Sequence, residues 1–160
     1  MHHDELDRSE WDRPRRADPP SRRLVICSTA RSGSYLLCRQ MINAGLGLPT
    51  EYFRERTVGR LRARWGLAPG DDDAYIDELE ARRTTDNGVF AAKIQGPQFA
   101  AHPRVRERLH AWEQVMILTG TFGRSEPSLD ALQLPHVPQD KWIGLDLPAG
   151  EKLVEDIFGS

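Results

Sequence analysis

The residues best suited to chemistry lie in one short stretch, Ser28-Thr29-Ala30-Arg31-Ser32-Gly33-Ser34. It follows the apolar run Leu24-Val25-Ile26-Cys27 and precedes Leu36, Leu37, Met41 and Ile42, which recur at helical spacing. A buried strand that enters a Ser/Gly-rich turn and then a helix gathers unpaired backbone N–H groups, with the positive end of the helix dipole, at one point. Such a point attracts an anion. Gly33 lets the backbone approach an oxygen with no Cβ in the way, Ser32 and Ser34 add hydroxyl donors, and Arg31 supplies a fixed positive charge. Taken singly, Ser32 or Ser34 would serve as a helix cap and Arg31 as a solvent-facing charge. Their combination reads as a phosphate cradle. The stretch lacks the Gly-Lys-Ser/Thr of a Walker loop, so no lysine reaches a γ-phosphate and no carboxylate partner for magnesium is evident, which disfavours a kinase or NTPase.

The elements around this turn alternate. Strands are predicted at Leu24 to Cys27, Gly88 to Ile94 and Val115 to Leu118, and a helix rises from Ser34 and stops at Gly45 to Pro49. Further helices are predicted at Thr57 to Trp65, Asp72 to Thr84 and Arg104 to Trp112. Buried strands that alternate with amphipathic helices predict an α/β fold, a parallel sheet flanked by helices in three layers of the P-loop-like kind. Arg62, Arg64, Arg82 and Arg83 read as solvated helix faces. Lys93 stands near the end of an apolar strand, where a buried unpaired charge would be costly, so it is expected to emerge at the carboxyl edge of the sheet.

Residues 1–21 mix both charge signs with Pro14, Pro19 and Pro20 and hold almost no large apolar side chain except Trp11, so a disordered arm is expected there. His2 and His3 lack the further ligands a metal requires, and no metal site is expected. The core spans 22–119. Residues 120–160 form a proline-broken tail with amphipathic spacing only at Glu151 to Phe158. The 160 residues suit one domain, and 22 Lys plus Arg against 24 Asp plus Glu give a net charge of -2, too little positive field to hold nucleic acid. Cys27 and Cys38 fall in apolar patterns and read as buried free thiols. With no apolar run long enough to span a bilayer and a charged N-terminus, the chain reads as soluble and cytoplasmic.

Arg31-Ser32-Gly33-Ser34 followed by Leu36-Leu37 after a strand resembles the phosphosulfate loop of bacterial sulfotransferases similar to trehalose 2-sulfotransferase. Pro49-Thr50-Glu51-Tyr52-Phe53 is similar to the Pro-x-Glu-aromatic-aromatic segment that follows the first helix in that family, and Gly88-Val89-Phe90-Ala91-Ala92-Lys93 resembles its next strand. The resemblance covers about residues 22 to 119. It implies that Arg31, Ser32, Gly33, Ser34 and Tyr35, helped by Lys93, bind 3′-phosphoadenosine-5′-phosphosulfate (PAPS) as co-substrate, with no metal. It also implies that Glu51 is the general base toward a sugar or glycolipid hydroxyl and that Pro49, Thr50, Tyr52 and Phe53 line the acceptor. The sequence leaves the oligomeric state open, a homodimer included.

The chain also departs from that family. Ala30 replaces a glutamine that contacts trehalose, so trehalose itself is not the expected acceptor. After the third strand the chain runs into Gly120-Thr121-Phe122-Gly123 where the family carries an arginine-rich motif for the 3′-phosphate, and Arg124 and Ser128 lie out of register. Family members are considerably longer. The alternatives are therefore a noncatalytic or truncated nucleotide-binding remnant and a small-molecule kinase with a degenerate loop.

Overall fold

The run Arg22–Ser28 forms β1, which lies between the other two strands of a sheet that has three among the described residues, in the order β2-β1-β3. A computed structural model describes residues 6–28, 34–109 and 112–117 of the chain. Its elements continue with α1 (Ser34–Asn43), α2 (Glu55–Trp65), α3 (Asp72–Arg83), β2 (Val89–Gln95), α4 (Gly96–Ala101), α5 (Pro103–Leu109) and β3 (Glu113–Ile117). β1 runs parallel to both neighbours, with Ile26 opposite Lys93 and Val115, and Ser28 opposite Gln95. Parallel pairing requires crossovers, which the intervening helices supply.

Successive side chains of a strand point to opposite faces, and both faces of this sheet are covered. Leu24, Ile26, Val89 and Ala91 pack with Leu37, Cys38 and Met41 of α1. Val25, Cys27, Phe90, Ala92 and Ile94 pack with Leu61 of α2, Tyr75, Ile76 and Leu79 of α3, and Val105 of α5. The result is the expected α/β fold in three layers. β3 begins at Glu113 and α5 ends at Leu109, so Trp112 lies outside the helix predicted for it, buried with its ring edge-on to Phe90 at 5.3 Å. α4 was not expected. The tail from 120 onward, with its Glu151 to Phe158 helix, lies outside the described residues.

α1 ends as the glycines predict. Gly45 takes φ 73°, and Leu46 N–H returns to Met41 O at 2.8 Å. Gly47, at φ 87°, passes so close to β2 that a Cβ there would lie 2.6 Å from the Cβ of Ala91. That approach delivers the next residues to the outer edge of β2, where Lys93 N–H donates to Thr50 O at 2.9 Å and shields an otherwise open strand edge.

Residues 6–21 correct the expectation of a disordered arm. Arg13 N–H and Arg16 N–H donate to Arg82 O and Ala81 O, two of the carbonyls left open at the end of α3. Asp12 accepts from Arg83 at 2.7 Å and from Trp65 Nε1 at 3.0 Å, and Asp7 accepts from Arg60 at 2.8 Å. Polar pairing with α2 and α3 offsets the ordering entropy that apolar content alone could not. The same contacts correct the reading of two arginines as solvated. Arg83 is fully buried, and Arg62 is buried against Ala68 O, Asp71 O and Asp72 Oδ1. Arg64 is exposed and reaches Asp12, while Arg82 is half-buried and tied to Glu78.

Candidate active site

Glu51, Lys93 and Tyr35 come from three separate stretches and meet on the α1 side of the sheet. Glu51 Oε1 lies 3.5 Å from Lys93 Nζ, Glu51 Oε2 accepts from Tyr35 Oη at 3.3 Å, and Lys93 Nζ sits 3.7 Å from the centre of the Tyr35 ring. The fold explains the meeting. Lys93 alternates onto the same face as Val89 and Ala91, toward α1, while Thr50 is pinned to the backbone of Lys93 and so carries Glu51 over the lysine. Tyr35 occupies the first turn of α1, directly after the Ser/Gly turn.

Lys93 is buried at 1% exposure instead of emerging into water as expected. Burial pulls its ammonium below the usual lysine value, and the neighbouring Glu51 carboxylate opposes that shift. An ion pair with a cation–π contact compensates the buried charge, which is why the lysine need not reach the sheet edge. Glu51 is itself buried, at 8% exposure, so a carboxyl group and a cation sit together largely out of water.

Of the turn, Ser34 is described: it opens α1 and is buried. Arg31, Ser32 and Gly33 lie outside the described residues. At the strand end that feeds the turn, Ser28 Oγ is buried and has no hydrogen-bond partner among the described residues. A buried hydroxyl without a partner beside a helix start fits an anionic group there. Burial holds the nearby Cys27 and Cys38 thiols up at about 12, so neither acts as a nucleophile near neutral pH.

The acceptor-lining expectation divides. Pro49 and Thr50 are buried and serve to place Glu51. Tyr52 is a core residue, fully enclosed, its hydroxyl donating to Leu48 O at 2.7 Å and its ring stacked with Phe90, so it cannot wall an acceptor. Phe53 packs edge-on to Tyr75 and also borders a cavity of about 450 Å³ that reaches α4. His102 borders the same cavity, with Nδ1 3.2 and 3.3 Å from the two carboxylate oxygens of Asp72. Sequence reasoning missed this pair because its members stand 30 positions apart and neither lies in a motif.

The described part of the site is thus a parallel α/β sheet with a buried carboxylate and a buried lysine held together against the first turn of α1. The family model described as Stf0 sulphotransferase matches residues 23–114, more than half of the chain. The chain belongs to that family, and sulfuryl transfer is its class of chemistry. No curated protein and no solved structure matches it. Among the described residues no group of three or more His, Cys, Asp or Glu could hold a metal ion, and no helix is long and apolar enough to cross a membrane.

Proposed function

We propose that this chain transfers a sulfuryl group from PAPS to a hydroxyl of a sugar or glycolipid, with Glu51 as general base. The observation that carries the reading is the convergence of Glu51, Lys93 and Tyr35 at the first turn of α1. Arg31, Ser32, Gly33 and Ser34 hold the phosphosulfate through backbone N–H groups, hydroxyls and one guanidinium, and the Lys93 cation adds positive potential behind them. When bound, PAPS supplies an activated sulfuryl group on a phosphate leaving group. The acceptor oxygen attacks sulfur in line, the bridging S–O bond breaks, and the hydroxyl proton passes to Glu51. Tyr35, 38% exposed, hydrogen-bonds the Glu51 carboxylate and can yield that place to the acceptor hydroxyl.

The test has two arms. Adenosine 3′,5′-bisphosphate should bind more tightly than ATP with magnesium; the reverse preference supports the kinase alternative. Glu51→Gln should keep bisphosphate affinity while turnover falls by about 10²-fold or more, since the amide keeps the shape but accepts no proton. Bisphosphate binding with no transfer to any sugar acceptor by the wild type would identify a noncatalytic remnant. Full turnover in Glu51→Gln would place the base elsewhere.

A further inference from the structure

The cavity that Phe53 borders lies at the carboxyl end of β2. Its far wall is built from the residues that follow Gln95, and Gln95 is the register partner of Ser28, where the chain enters the Ser/Gly turn. Adjacent strands are about 5 Å apart, so the cavity lies at the same end of the sheet as Ser28. Phe53 and Glu51 belong to one segment, at most about 7 Å apart along the backbone. Phe53 packs on the α2–α3 side of the sheet and Glu51 on the α1 side, so this segment, which follows the outer edge of β2, joins the cavity to the candidate base.

The lining is of two kinds. Phe53, Val58, Pro97 and Ala101 supply apolar surface, and at about 450 Å³ the space matches the pockets that hold small organic molecules. Gln98 and His102 supply polar groups. Gln98 is fixed, because its side-chain oxygen accepts from Gln95 N–H at 3.1 Å. His102 is fixed as well. The Asp72 carboxylate only accepts, so Nδ1 carries the hydrogen between them, and Nε2 is the ring nitrogen left for a ligand. Asp72 is anchored in turn by Arg62 at 2.8 Å. The rim bears one charge of each sign, Arg54 and Glu55, which suits an occupant without net charge.

We propose that this cavity seats the apolar part of a neutral amphipathic alcohol, an alkyl or aryl glycoside, with His102 hydrogen-bonding one of its hydroxyls. The inference rests on the sulfotransferase reading and narrows its acceptor: a free sugar would leave the apolar walls unused, whereas a glycoside carrying a hydrocarbon group uses both kinds of lining. His102 is a positioning residue. It orients the acceptor, while Glu51 takes the proton.

The experiment compares octyl β-glucoside, below its micelle concentration, with glucose on the full chain saturated with adenosine 3′,5′-bisphosphate. The readout is the methyl chemical shifts of Val58 and Ala101. Octyl β-glucoside should shift both methyls and bind at least tenfold more tightly than glucose, and Ala101→Trp, which fills the space from an exposed helix position, should abolish the shifts. His102→Phe keeps a ring in place but removes the hydrogen bond, and should weaken octyl β-glucoside by about five- to tenfold. In turnover, KM for the glycoside should rise in His102→Phe with kcat nearly unchanged. Equal binding of the two probes, shifts confined to methyls elsewhere, or an unaltered affinity in both variants would overturn the proposal. Loss of bisphosphate binding in the wild type would instead count against the donor reading, because the methyl shifts can be read without nucleotide.

Discussion

Replacing Arg83 by Met tests whether residues 6–21 are a structural part of the domain. The Arg83 side chain is fully buried, and its guanidinium donates to Asp12 Oδ1 from Nε at 3.1 Å and from Nη2 at 2.7 Å, to Leu6 O, and to Arg8 O at 3.3 Å. Methionine preserves much of the apolar stem and removes every donor. Removing one partner of a buried pair costs about 3–5 kcal/mol. Asp12 is 15% exposed and keeps Trp65 Nε1 at 3.0 Å and Arg64 at 3.4 Å, which points to the lower part of that range. Of the two main-chain carbonyls that lose a donor, that of Arg8 lies on an exposed residue, so only Leu6 O adds to the cost, at about 1 kcal/mol at most. The expected total is about 3–4 kcal/mol. At about 3 °C per kcal/mol for a chain of this size, the thermal midpoint should fall by roughly 10 °C. Differential scanning calorimetry on wild type, Arg83→Met, Asp12→Asn and the double variant is the assay. The double variant should be more stable than the sum of the two single losses predicts, by 1 kcal/mol or more, because neither charge is then stranded. A shift below about 3 °C in Arg83→Met, or strict additivity, would refute the pairing and with it the docking of the N-terminal segment.

Alkaline pH should weaken the fold. Cys27 and Cys38 are raised from 9.0 to about 12, so the unfolded chain loses their protons first and the stability present below pH 9 is lost on the way to pH 12, about 1 kcal/mol per thiol by pH 10. Lys93, lowered from 10.5, acts in the opposite sense between its folded value and 10.5, so Lys93→Met should steepen the fall in urea midpoint between pH 8 and pH 10; a midpoint that holds or rises in the wild type contradicts this. Arg31→Ala should weaken adenosine 3′,5′-bisphosphate by about 1.5–3 kcal/mol, roughly 10- to 150-fold, with a smaller loss at high salt; an unchanged dissociation constant by titration calorimetry would return Arg31 to a solvent-facing role.

Local signals made the frame legible. The strand Leu24 to Cys27, the helix from Ser34, and the stop at Gly45 to Pro49 each carry their period or breaker within a few residues, and each is present. The segment Pro49 to Phe53 was legible as a unit, but not the division within it, because burial of Tyr52 depends on Phe90 and Arg83, which no local pattern connects to it. α4 was missed since Gly96-Pro97 reads as a turn, although Pro suits a first helical turn. The ordered N-terminal segment was missed for a different reason. Its stabilising partners are charged side chains and helix-end carbonyls some 70 positions away, and a reading that weighs apolar content alone assigns such a segment to solvent.

Lys93 shows how far the missing information reached into the site. From the strand pattern alone, a lysine near the strand end should escape to water, since an unpaired buried ammonium is too costly. Its actual solution requires a carboxylate 42 positions earlier, brought there by a chain of steric facts: Gly47 accepts a positive φ, the lack of a Cβ lets the backbone close on Ala91, and Thr50 then pairs with the strand edge. Each step is local, yet their product is not. The same sequence of contacts that makes the lysine tolerable also sets the carboxylate beside the first turn of α1, so fold stability and the placement of the candidate base depend on one and the same approach of the 47–51 segment to β2. A buried cation and a buried carboxyl group are each unfavourable alone; together, at 3.5 Å, each compensates the other.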